Sequence, residues 1–222
     1  TALREDLAAW LTGQTGVAVE AAQVWAGNGS NEVLQHVVQA FAGPGRVALG
    51  FTPAYSMHPI ISRTMGSTWV DGHRGGPDGP FDLTEGDVVA QVLAAAPHVV
   101  FLCSPNNPTG TALDLEIVRA VLDAAPDAVV VVDEAYAEFA RPGTPSALSL
   151  LAAYPQLVVT RTMSKAFALA GGRLGYLVAA PEVIDALRLV RMPYHLSTPT
   201  QEIARAALAH RSSLLAEVEA IK

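Results

Sequence analysis

Short, apolar, β-branched runs alternate along this chain with longer stretches of helical periodicity, a rhythm that confines it to an α/β architecture with a largely parallel sheet. The runs fall at 46–50, 67–71, 98–103, 128–132, 157–161 and 174–179. Most are apolar along their whole length, as strands covered on both faces must be. Between them, helices are predicted over 31–42, where Val33, Val37, Val38 and Phe41 recur at helical spacing, and over 84–95, where Thr84 and Asp87 form a capping box. Further helices are predicted near 113–124, 182–190 and 199–210, with Pro181 suited to a first helical position. The stretch 72–80, GHRGGPDGP, reads as a surface loop within one domain, because strands continue beyond it on the same rhythm.

With 222 residues, half of them hydrophobic, the chain can bury a sizeable core. Its net charge of −7 and lack of any basic run exclude nucleic acid and anionic lipid as natural partners. The single cysteine, Cys103, excludes a disulfide within the chain and, in the run HVVFLC, reads as a buried structural thiol. No apolar stretch reaches the ~20 residues that span a bilayer, and the opening TALREDLAAWL reads as an amphipathic helix, so a cytoplasmic location is expected. Both ends fall inside helical periodicity without a cap or breaker, which leads us to expect a longer natural protein.

In parallel sheets ligands gather at the carboxyl ends of the strands. The polar motifs of this chain fall there. After FLC comes SPNNPTG, residues 104–110, a turn that leaves Asn106 and Asn107 at a strand mouth. After AVVVV comes DEAY, residues 133–136, where Asp133 either caps the next helix or faces a cationic ligand atom such as a protonated ring nitrogen. After LVVTRT comes MSKAF, whose Lys165, partly desolvated at a strand mouth, would be a nucleophile toward aldehydes. Arg173 follows eight residues later in AGGRLGY, and its planar fork suits a phosphate.

Near the start, AQVWAGNGSNEVLQ reads as an extended segment, a glycine turn and the 31–42 helix, capped by Asn28 or Ser30. The N–H groups of that first turn make an anion site. The dinucleotide fingerprint GxGxxG fails here, because Glu32 stands where the third glycine belongs. FTPAYSMH, residues 51–58, offers Tyr55 at another strand mouth, either as packing or as a stacking platform for a flat heterocycle.

Taken together and in order, GSNE, PAYSMH, SPNNPTG, VDEAY and TMSKAFALAGGRLGY resemble the class I/II aminotransferases of the type I pyridoxal-phosphate fold. Within that superfamily the likeness is greatest to the histidinol-phosphate aminotransferases. The resemblance covers essentially the whole chain, and it implies a three-layer α/β/α sandwich with a mostly parallel sheet, residues 1–222 forming the large, cofactor-binding domain. It implies pyridoxal 5'-phosphate as cofactor, carried as an aldimine on Lys165, which then moves the substrate's α-proton. It makes Asp133 the partner of the pyridine nitrogen, Asn107 and Tyr136 the partners of the ring hydroxyl oxygen, and Tyr55 the stacking residue. The phosphate falls to Ser30, Asn31, Thr162, Ser164 and Arg173, while Glu32 and Asn106 stay structural. No metal is implied.

The implied reaction exchanges an amino group between glutamate and imidazole-acetol phosphate on one side and 2-oxoglutarate and histidinol phosphate on the other, in histidine biosynthesis, with ping-pong kinetics and a homodimer. Family members also carry an N-terminal segment and a C-terminal small domain with substrate-binding arginines, for which these residues hold no counterpart. An aromatic amino-acid aminotransferase, a phosphothreonine decarboxylase on the same scaffold and a non-catalytic effector sensor therefore stand as alternatives.

Overall fold

The computed structural model of the chain describes residues 2–75 and 81–222. The predicted rhythm folds into one seven-stranded sheet. Its strands are β1 (Val24–Asn28), β2 (Val47–Thr52), β3 (Thr68–His73), β4 (Val99–Cys103), β5 (Val129–Asp133), β6 (Leu157–Thr162) and β7 (Leu174–Ala179), in the spatial order β1-β7-β6-β5-β4-β2-β3. Neighbours from β6 through to β3 run parallel, whereas β7 is antiparallel to both β6 and β1. The sheet is thus mostly parallel, with one reversed strand.

Helices cover both faces. They are α1 (Ala2–Thr15), α2 (Ser30–Phe41), α3 (Met57–Thr64), α4 (Glu85–Ala95), α5 (Leu115–Ala124), α6 (Pro181–Val190), α7 (Thr198–Ala209) and α8 (Arg211–Ile221). One apolar layer joins α1, α4, α5 and α7 to one face of the sheet, and a second joins α2, α3 and α6 to the other. This is the three-layer sandwich. Strands β4 to β7 are buried at every residue, which explains why their sequences are continuous apolar runs rather than alternating ones.

Several expectations need correction. The loop read over 72–80 begins later, because Gly72 and His73 belong to β3; residues 76–80 lie outside the described residues. Gly72 pairs with Phe51 in the β2–β3 ladder, and a glycine suits that place because a Cβ there would meet the Phe51 ring at 2.8 Å. The extended segment before α2 is a paired strand, β1, since β7 comes round to meet it. Helix α3 escaped the periodicity because it is short and contains Pro59, which a first turn tolerates as its N–H needs no partner there. At α4, Thr84 accepts the Asp87 N–H at 3.3 Å, but its hydroxyl donates to the Asp87 carboxylate at 2.7 Å, so the box is not reciprocal.

Neither Asn28 nor Ser30 caps α2. The N-cap position is Gly29, at φ 82°, and no side chain caps the helix. Asn28 is drawn away by Glu32, whose carboxylate accepts its backbone N–H at 2.6 Å, and by the His195 carbonyl, which accepts its side-chain amide at 2.6 Å. The first turn of α2 is therefore left for another acceptor.

Close approach fixes this geometry. A Cβ at Gly175, on β7, would lie well inside van der Waals contact distance of the Ser30 nitrogen. Gly175→Ala should destabilise the chain by about 3 kcal/mol, as overpacking against backbone does, and urea unfolding will measure it. An unchanged midpoint would refute the contact.

Beside this corner His36 is buried and accepts the Trp25 indole N–H on Nδ1 at 3.2 Å. Burial, only partly opposed by Glu32, holds the imidazole below its ordinary 6.5. A base whose pKa is lowered by folding contributes its full stability above its unfolded value and loses it as pH falls from there through its folded value. The chain should therefore lose stability from about pH 6.5 downward. His36→Phe should flatten that part of the urea-stability profile; an unaltered slope would exclude His36 as the source.

Candidate active site

A cavity of about 190 Å³ opens where β4, β5 and β6 end and α2 begins, and all ten residues predicted from the sequence line it. Asp133 is the last residue of β5 and is 1% exposed. A carboxylate this deep must be satisfied. Its Oδ2 accepts from His58 Nε2 at 3.0 Å, and its Oδ1 accepts from the Thr160 hydroxyl at 3.1 Å and the Ala135 N–H at 3.2 Å. No α-helix starts at Asp133, so the capping reading gives way to an acid held at a strand end. His58 is 2% exposed and stacks on Phe101, with ring centroids 4.7 Å apart.

The opposite end of the cavity is cationic. Arg173 adopts φ 51° in the turn before β7 and lays its guanidinium against Gly29, where a Cβ would meet Nη2 at 2.5 Å. Glycine is required at 29 both for that approach and for its positive φ. The guanidinium and the uncapped first turn of α2, which carries Ser30 and Asn31, thus converge on one spot, an arrangement made for an anion.

Thr162 and Ser164 lie at the end of β6 on the same side, the Thr162 hydroxyl accepting the Ser164 N–H at 3.1 Å. The turn beyond them is closed by two backbone bonds of 3.0 Å, Ala168 N–H to Lys165 O and Leu169 N–H to Met163 O. Lys165 projects from this turn. It is exposed, so the partial desolvation expected from its place after β6 does not arise, because the chain has already left the sheet. Its Nζ lies 5.4 Å from the centre of the Tyr136 ring.

Tyr136 and Asn107 sit on the loops after β5 and β4, and Tyr55 on the loop before α3. The Tyr55 hydroxyl donates to Asn31 Oδ1 at 3.2 Å, and burial raises the Tyr55 pKa. Cys103 also lines the cavity; burial, with Asp133 adding to it, pushes its thiol up to about 12, which keeps it neutral. Asn106 and Glu32 act locally, Asn106 donating to the Pro53 carbonyl at 3.0 Å.

Sequence reasoning missed His58 and Thr160. His58 follows Tyr55 closely in PAYSMH, but nothing local marked it as the partner of Asp133, which is 75 positions away. Thr160 lay hidden inside an apolar run and emerges only from the register that sets it opposite Asp133.

A buried carboxylate at one end, an anion cradle at the other and an amine beside two phenols fit a flat heterocycle with a basic ring nitrogen and a phosphate tail. These features define an α/β domain with a cavity suited to a phosphate-bearing heterocycle. The chain belongs to the aminotransferase class I and II family, whose pattern matches residues 1–222. It is 58% identical, over its whole length and 56% of the relative's, to the histidinol-phosphate aminotransferase of Frankia casuarinae. It is 60% identical to that of Nocardia farcinica over 98% of this chain and 55% of the other. The chain thus spans a little over half the length of these relatives.

Among solved structures, the Sinorhizobium meliloti histidinol-phosphate aminotransferase in complex with pyridoxal-5'-phosphate matches with TM-score 0.83 and 27% identity, over 97% of this chain and 57% of that one. The Thermus thermophilus aspartate aminotransferase with maleate matches with TM-score 0.85 and 25% identity, over 98% and 57%. The type I aminotransferase fold follows. No described helix is long and apolar enough to cross a membrane.

Proposed function

We propose that residues 1–222 form the large domain of a pyridoxal-phosphate-dependent histidinol-phosphate aminotransferase, which transfers the amino group of histidinol phosphate to 2-oxoglutarate in histidine biosynthesis. The observation that carries this is the polarity of one cavity, with Asp133 buried at one end and Arg173 beside the uncapped α2 at the other. The substrate rests on the relatives of 58% and 60% identity, since the same cavity suits other amino donors.

When bound, pyridoxal phosphate supplies a ring that accepts electrons from the substrate's α-carbon. Arg173, the first turn of α2 and the hydroxyls of Ser30, Thr162 and Ser164 hold its phosphate, with Asn31 beside them. Asp133, itself oriented by His58 and Thr160, would keep a proton on the ring nitrogen. Asn107 and Tyr136 would hydrogen-bond the ring hydroxyl oxygen, and Tyr55 would pack on the ring. Lys165 would hold the cofactor through its amine and, once the substrate's own amine has displaced it, would be free to take and return the proton at the substrate's α-carbon.

The active unit is a homodimer in the cytoplasm. Exposed Leu189, Met192 and Tyr194, 86%, 73% and 97% accessible within one short stretch, supply an apolar surface for a second copy. Substrate choice is tested on the intact enzyme with histidinol phosphate and phenylalanine as competing donors. Histidinol phosphate should show the higher kcat/KM; a preference for phenylalanine would overturn the assignment.

A further inference from the structure

Strands β5 and β6 each send one side chain toward the cavity and the next to the opposite face. Asp133 and Thr160 meet at the cavity floor, and Thr162 lines its wall. Behind them, Glu134 and Arg161 meet on the far side, 4% and 2% exposed. Arg161 Nε and Nη2 bind Glu134 Oε2 at 2.9 and 2.7 Å, and Nη1 binds Glu138 Oε1 at 3.1 Å and Gln14 Oε1 at 3.2 Å. Nη2 also reaches the Ser146 hydroxyl at 3.3 Å. All the donors of the planar fork are thereby engaged.

Glu134 is fixed in turn, accepting the Ala147 N–H at 2.7 Å and the Ser146 hydroxyl at 2.8 Å. Between Glu134 and Glu138 the chain makes a single turn that carries Tyr136 to the cavity, and Asp133 immediately precedes it. One guanidinium thus pins both feet of the turn whose other side holds two cavity residues. Arg161 itself does not line the cavity.

We infer that Arg161 is a positioning residue for the cofactor site, holding Asp133 and Tyr136 in place from behind through Glu134 and Glu138. This rests on the reading of the cavity as a pyridoxal-phosphate site. Losing the guanidinium would leave two buried carboxylates unpaired, and a buried charge without its partner must move, protonate or draw in water. Any of these loosens residues 134–138. A lysine has one compact ammonium in place of the fork and cannot grip both carboxylates at these separations.

The test compares the wild-type chain with Arg161→Lys and, in case that variant does not fold, Glu138→Leu. Three readouts serve: pyridoxal-phosphate affinity by absorbance titration, the pH midpoint of the Lys165-dependent visible band, and backbone amide exchange at 135–139 without ligand. The loss of charged hydrogen bonds predicts roughly tenfold weaker binding for Arg161→Lys. A displaced midpoint and faster exchange are expected in both variants.

A variant that melts earlier yet, while folded, keeps the wild-type affinity, midpoint and exchange would show a purely structural role and overturn the inference. If the wild-type chain forms no Lys165-dependent band, the cofactor reading fails on its own. Amide exchange then decides the positioning role, and exchange at 135–139 unchanged by either substitution would overturn it.

Discussion

Lys165→Ala should abolish the visible band that pyridoxal phosphate forms with the wild-type chain and lower amino transfer by the intact enzyme about 10⁴-fold. On the proposed function Lys165 combines two duties in one amine, covalent anchoring and proton movement at the α-carbon, so its truncation would remove both. The fold should be untouched, within about 0.5 kcal/mol, because the side chain is exposed and its recorded contact is the face of Tyr136. Absorbance spectra of the two proteins and a rate comparison at saturating cofactor check this. No band in the wild type, or the same band in the variant, would remove Lys165 from its role.

Asp133→Ala differs in kind, since Asp133 is structural and electrostatic at once. Its carboxylate is the acceptor for His58 Nε2, the Thr160 hydroxyl and the Ala135 N–H. The variant leaves three donors facing a void, each lost acceptor costing about 1–3 kcal/mol. Stability should drop measurably in urea. The Lys165-dependent band should survive, because the amine is elsewhere, but α-proton removal should slow about 10³-fold once the ring nitrogen loses its anionic partner. Asp133→Asn separates the effects: it restores shape and an acceptor oxygen without the charge, recovering stability more than rate. Full activity in either variant would contradict the pyridinium role.

Asp133 was legible in the sequence because it ends an apolar run, where a polar side chain is expensive unless it meets a ligand or a partner, and Lys165 because it follows the next such run within a few residues. Asn107 was visible in the turn after such a run, and Arg173 through the glycines beside it and a planar fork that suits a phosphate. The supports behind them were not. His58 is 75 positions from Asp133, and Arg161 is 27 and 23 positions from Glu134 and Glu138. Nothing local in MHPII or VVTRT marks a partner at such distances. The exposure of Lys165 was misjudged because strand patterning does not tell how soon the chain turns away from the sheet.

Local periodicity is written within a few residues, since it depends only on which side of a strand or helix each side chain faces. The sequence by itself therefore determined the seven-stranded architecture in outline, all but β1, along with the chemistry waiting at each strand mouth. Register and direction are different. They come from how distant segments share burial and hydrogen bonds, and a slip of one residue would turn Thr160 away from Asp133 and Arg161 toward it. Tertiary structure alone decided that β7 runs backwards to press Gly175 against α2, that α2 stays uncapped, and that one buried guanidinium braces the cavity from behind.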